Sequence, residues 1–133
     1  MRPRLVVDAS LIAASAFSES ESQQADAQMR GRSLCAPAII DYELANVALT
    51  KIRRRSISTA DAMRILTSYA GLEIERFDVD ALSAVRIGEL FGVTAYDAAY
   101  LWVAGHLRAP IATFDRRVSA AAKAYLSQSD NPD

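Results

Sequence analysis

The sequence predicts a three-layer α/β/α domain built on a small central parallel sheet. Four short apolar runs, β-branched or alternating, are spread along the chain, and each is followed by a segment of helical character. Parallel strands need crossover connections of that length, which are right-handed and cover both faces of the sheet. At 133 residues, 51% hydrophobic and 23% charged, the chain suits one compact domain with a core of its own. No repeat, low-complexity tract or linker divides it.

Each element follows from local signals. "RLVVD", Arg4 to Asp8, is a β-branched run ending at an acid and reads as a buried strand. "ASLIAASAF" continues as a helix, and Ser18 to Gly31 is polar and helix-compatible, with Gly31 as its stop. Ser33 to Ala36 is a weak second strand. Pro37 then suits the first turn of a helix, where its missing N–H is not needed. That helix runs to Lys51–Arg55, "KIRRR", whose cations complement the negative end of the helix dipole. Ser58 opens a helix through Tyr69, and Gly71 ends it. Leu72 to Phe77 alternates as a third strand, and Asp78 opens a helix to Phe91 that breaks at Gly92. Thr94 to Arg108 is helical, Pro110 halts it, and Ile111 to Phe114 is the fourth strand. A last helix runs from Asp115 to Leu126, so the domain spans residues 1–126 and residues 127–133 read as a flexible tail.

Composition restricts function. Net charge is −1, from 15 Lys plus Arg against 16 Asp plus Glu, so no global basic field holds nucleic acid and any such contact is local. The single cysteine, Cys35, cannot form an intrachain disulfide, which suggests a reducing compartment, and it reads as a small buried residue. Arg2 and Arg4 before an apolar run, with "ASA" at Ala14–Ala16, resemble a secretory signal, but Asp8 splits that run. No stretch approaches the roughly 20 apolar residues of a membrane span. The expectation is a cytoplasmic protein with no membrane contact.

Ligands of such folds bind beyond the carboxyl ends of the strands, at a switch in strand order. Four acids can reach that edge. Asp8 ends the first strand and Asp115 the fourth, and each is explained equally well as a helix N-cap. Asp78, after the third strand, shows the same pattern, and spacing alone does not separate the three. Glu43 lies more than a turn inside the helix that Pro37 opens, too deep for an N-cap. It shares a face with Ile39, Ile40, Asn46 and Val47, whereas Asp41 is about 200° away and faces water. A carboxylate on an apolar stripe is costly unless paired or bound to a cation. Asp97 sits in "TAYDAAYLW", where Thr94-x-x-Asp97 resembles a capping box with Asp in place of Glu or Gln. Yet it also shares a face with Val93, Tyr100, Leu101 and Ala104. Clustered carboxylates raise one another's pKa values unless a hard divalent cation such as Mg²⁺ relieves them. The lone histidine, His106, reads as surface, so a metal-free histidine pair is not available for acid–base work. Trp102 reads as core or as part of a dimer interface.

Together "VVDAS" (Asp8, Ser10), "ELANVAL" (Glu43, Asn46), "TAYDAAYLWVA" (Asp97) and "IATFD" (Thr113, Asp115) resemble the successive motifs of PIN-domain nucleases. Among these, they look like the VapC toxins of type II toxin–antitoxin systems. The resemblance covers nearly the whole chain, in order and at the right length. It implies a Mg²⁺- or Mn²⁺-dependent endoribonuclease that blocks translation by cutting structured RNA such as tRNA or rRNA. Asp8, Glu43, Asp97 and Asp115 would form the catalytic metal-binding quartet, Ser10 and Thr113 would support it by hydrogen bonding, and Asn46 would orient Glu43. It also implies first and fourth strands side by side at the centre, which leaves Asp78 at a far edge. Arg116 and Arg117, and Lys51 to Arg55, are the candidate phosphate contacts. A VapB-type antitoxin and a second copy of the chain are the implied partners. "SLIAASAF" and "DYELANVALTKI" could accept the antitoxin, although plain packing explains the same residues. One departure is that no fifth strand is evident after the last helix. A catalytically silent PIN-like protein- or RNA-binding module is the alternative. A haloacid-dehalogenase-like phosphatase fits less well, since Ser10 stands where its second Asp belongs.

Overall fold

The computed structural model describes residues 2–129. In chain order the elements are β1 (Arg4–Val7), α1 (Ala9–Ala16), α2 (Ser22–Met29), β2 (Ser33–Pro37), α3 (Ile40–Arg53) and α4 (Thr59–Ala70). There follow β3 (Ile74–Phe77), α5 (Ala81–Phe91), α6 (Ala95–Leu107), β4 (Ile111–Ala112) and α7 (Arg116–Ser129). The four strands pair in parallel in the order β3-β2-β1-β4. The expected three-layer α/β/α architecture is therefore present. β1 and β4 are neighbours as expected, but β4 forms the edge of the described sheet rather than its centre.

The burial pattern explains the layers. Leu5, Val6 and Val7 of β1 are all buried, as a strand covered on both faces requires. They join Leu11 and Ile12 of α1, Cys35 of β2, Ile40 and Leu44 of α3 and Tyr100 of α6 in the main core. A second cluster, Ala84, Ile87, Ala98, Leu101, Ala121 and Ala122, knits α5, α6 and α7. Helix α6 feeds both clusters, so it is apolar nearly all round, and its alanines let neighbours approach. Gly105 marks the closest approach, since a Cβ there would lie 2.6 Å from the Tyr125 ring of α7.

Several boundaries differ from the sequence expectation, each for a local reason. Pro37 closes β2 instead of opening a helix. It sits beyond the reach of β1 and opposite Phe77, where its missing N–H interrupts no ladder, and Ala38 N–H then donates to the Phe77 carbonyl. Asp80, not Asp78, caps α5, accepting from Ser83 N–H at 2.9 Å. β4 shrinks to two residues because the next backbone N–H groups turn to side-chain hydroxyls. Helix α7 continues to Ser129, so the expected tail overlaps it, and residues 130–133 lie outside the described residues. No helix among the described residues is long and apolar enough to cross a membrane.

Candidate active site

The site begins where β1 ends. Asp8 is 8% exposed and is the one charged side chain buried among the described residues. It caps α1, accepting from Ser10 N–H at 3.3 Å and from the Ser10 hydroxyl at 3.4 Å. The Thr113 hydroxyl, just past β4, donates to the same carboxylate. Phe114 N–H donates to Ser10 Oγ at 3.1 Å and Asp115 N–H to Thr113 Oγ1 at 3.0 Å. Ser10 and Thr113 thus join the carboxyl ends of the two adjacent strands. Asp115 in turn caps α7, accepting from the backbone N–H groups of Arg117 and Val118 at 2.9 and 3.3 Å.

The other two acids come from helix first turns. Thr94 caps α6 by accepting from Asp97 N–H at 3.1 Å, while the Asp97 carboxylate makes no hydrogen bond among the described residues. The capping box is therefore half built. Glu43 lies in the first turn of α3, nearer the helix start than expected, because α3 opens at Ile40. Its Oε1 accepts from the Tyr100 hydroxyl at 2.6 Å. Asn46 was expected to orient Glu43, but it is exposed on the next turn and Tyr100 takes that place. Only the fold could reveal Tyr100, since it reaches Glu43 across 57 positions of sequence.

Electrostatics tie the four acids together. Burial pushes the Asp8 carboxyl up, hydrogen bonds from Thr113 and Ser10 oppose that, and the charges of Asp115 and Asp97 add to it. Burial likewise raises Glu43, against the Tyr100 hydrogen bond, and Asp8 and Asp97 raise it further. Burial and Glu43 raise the Tyr100 phenol. The four carboxylates therefore share one local field at the carboxyl edge of the sheet. As placed, no three His, Cys, Asp or Glu side chains among the described residues form a group set to hold one ion. The donor set still fits a hard cation. Mg²⁺ commonly keeps several waters and takes only one or two carboxylates, so the missing trio is not a mismatch.

The remaining candidates separate by position. Arg116 and Arg117 are exposed on the first turn of α7 beside Asp115. Lys51 is committed to Glu19 at 2.8 Å and lies over the Phe17 ring, while Arg53, Arg54 and Arg55 are exposed about 15 Å along α3 from Glu43. Asp78 is exposed beyond edge strand β3, away from the β1–β4 junction. Asp41, expected in water, is only partly exposed; Arg76 holds its carboxyl below the usual range, and the Tyr69 hydroxyl donates to it. His106 is exposed and stacks on Trp102 at 4.7 Å, and Trp102 packs against both core clusters. Ala9, Leu11, Ile12, Ala13 and Ala14 of α1 are buried, as are Ile40, Leu44 and Ala48 of α3, so packing already uses most of the apolar face of each helix. A cavity of about 1240 Å³ opens at the amino ends of β2 and β3, opposite the acids. Its size does not mark the chemistry.

The PIN-domain family model matches residues 5–124, in keeping with the parallel sheet between helices. The chain belongs to the PIN-domain family. Its relatives include VapC ribonuclease Mb0985 of Mycobacterium bovis and ribonuclease VapC9 of Mycobacterium tuberculosis. Each is 31% identical over 121 residues, covering 90% of this chain and 92% of the relative. Ribonuclease VapC3 of Pyrobaculum aerophilum is 31% identical, covering 87% and 92%. The crystal structure of PAE2754 from Pyrobaculum aerophilum shares the fold, with a TM-score of 0.72 at 23% identity over 96% of this chain and 90% of that one.

Proposed function

We propose that this chain is a VapC-type toxin, a divalent-metal-dependent endoribonuclease that cuts RNA phosphodiester bonds and so inhibits translation. The observation that carries the reading is Asp8, a carboxylate buried in the field of Asp97 and Asp115 and coupled to Glu43. A binding module has no use for four converging acids, each of which costs free energy when another is near. The relatives named as VapC ribonucleases support the same reading.

Mg²⁺, or Mn²⁺ in its place, would be held by Asp8, Glu43, Asp97 and Asp115, and would supply activation of water and neutralisation of charge on the phosphodiester. The chain's own residues do the rest. Ser10 and Thr113 hold the Asp8 carboxylate at the end of β1. Thr94 starts α6 so that Asp97 leaves from its first turn. Asp115 closes the β4 side, and the exposed guanidinium groups of Arg116 and Arg117 engage flanking phosphates. tRNA or rRNA is the expected substrate class and the cytoplasm the expected setting. A VapB-type antitoxin and a second copy of the chain are the expected protein partners. The C-terminal end of α1 is in keeping with the former, because half-buried Ser15 and Ala16 line an apolar groove of about 240 Å³ with Met29, Ile65 and Leu72.

Purified protein should cleave total cellular RNA with Mg²⁺ or Mn²⁺. EDTA or Asp97→Asn should abolish cleavage. Cutting that survives both controls sinks the mechanism.

A further inference from the structure

One buried phenol connects the elements that carry the acids. Tyr100 lies on α6 one turn after Asp97 and is 1% exposed. Its hydroxyl donates to Glu43 Oε1 at 2.6 Å, within the range of charge-assisted O–H···O⁻ bonds. The ring is packed in the main core with residues of β1, α1, β2 and α3.

Packing alone does not call for the hydroxyl. Phenylalanine would fill nearly the same volume, and a buried phenol needs a partner to offset its desolvation. Glu43 needs the phenol more. Its side chain has several rotatable bonds, and Tyr100 is its one hydrogen-bond partner among the described residues. We infer that Tyr100 is a positioning residue, which locks the Glu43 carboxylate in one rotamer with Oε1 occupied and Oε2 left for a divalent cation. This rests on the metal-nuclease reading above. Outer partners of metal-binding carboxylates act in this way, and losing one commonly weakens metal affinity or activity ten- to a hundredfold.

Tyr100→Phe keeps the ring and removes the hydroxyl. Mn²⁺ binding without RNA, followed by electron paramagnetic resonance, should weaken on the order of tenfold. The Mn²⁺ concentration for half-maximal cleavage should rise in parallel, with KM for RNA unchanged. In a Glu43→Ala background the same change should alter Mn²⁺ affinity no further, because the hydroxyl acts through Glu43. Equal Mn²⁺ affinity in wild type and Tyr100→Phe, or full additivity of the two changes, overturns the proposal. Wild-type protein labelled with ¹³Cζ-tyrosine gives an arm that needs no change at position 100. Its Tyr100 signal, assigned by replacing the other four tyrosines singly, should move with Mg²⁺ and stay still in Glu43→Ala. A signal unmoved by saturating Mg²⁺ overturns the proposal as well. If wild type binds Mn²⁺ and cleaves RNA while Tyr100→Phe matches it, only the role of Tyr100 falls. If wild type does neither, the metal-nuclease reading falls with it.

Discussion

Asp8 shows how one residue can serve both the fold and the proposed site. As the N-cap of α1 it accepts from Ser10 N–H, and a neutral asparagine could keep that bond. Its charge is what the fold resists, since burial and two neighbouring acids raise its pKa. Asp8→Asn should therefore raise the melting temperature of metal-free protein at neutral pH by a few degrees, while cleavage falls about a hundredfold or more. A lower melting temperature would show that the cap depends on the charge. Arg116→Ala with Arg117→Ala should act differently, weakening RNA binding and flattening its salt dependence while leaving kcat nearly intact. A filter-binding series across salt concentrations would check that. Asp8, Asp97 and Asp115 were legible as candidates because strand ends and helix first turns can be read from local signals. Tyr100 was not. Sequence spacing puts Asn46 beside Glu43 on one helix, but the group that meets Glu43 comes from another helix, and no periodicity records that contact.

Among the elements, α6 carries the most. It supplies Asp97 and Tyr100 and packs on β1, β2 and β4, so its starting point sets the geometry of half the site. Two devices fix that start. Gly92, with φ of 66°, ends α5 in the left-handed region, and Thr94 caps α6 two residues later. Gly92→Ala should cost roughly 1–2 kcal/mol through the steric penalty of that conformation. Thr94→Ala should cost about 1 kcal/mol in urea denaturation and reduce cleavage, and Thr94→Ser should restore both. Activity unaffected by Thr94→Ala would mean that Asp97 does not depend on the cap. These stop and start signals are local, which is why α5 and α6 were placed nearly correctly. Pro37 misled because proline is tolerated both at a helix start and beyond a strand's last paired residue. Only the register of β2 on β3 separates the two.

For the whole molecule, the acids make stability, pH and metal one linked problem. The folded-state pKa values of Asp8 and Glu43 lie above their ordinary values of 3.8 and 4.5. A raised carboxyl binds its proton more tightly in the folded state. As pH rises through and above those ordinary values the unfolded chain ionises first, and the folded state loses ground. Asp41 works the other way, because Arg76 depresses its pKa and its stabilisation disappears as pH falls. Above those ordinary values the Asp41 contribution is constant, so without metal the contribution of the acid site should decline as pH rises from there through the raised folded-state values. On the proposed function, a divalent cation would bind the ionised carboxylates of the folded protein and should reverse the trend. At a hundred times its dissociation constant it would add about 2.7 kcal/mol. The melting-temperature gain from Mg²⁺ should therefore be larger at pH 7 than at pH 5, where protons compete for the same oxygens. Differential scanning calorimetry at both pH values, with Mg²⁺ and with EDTA, measures this directly. In the double variant Asp8→Asn/Glu43→Gln, both the pH trend and most of the Mg²⁺ gain should vanish, since neither side chain can then ionise. A Mg²⁺ gain equal at the two pH values, or unchanged in the double variant, would place the bound cation elsewhere on the protein.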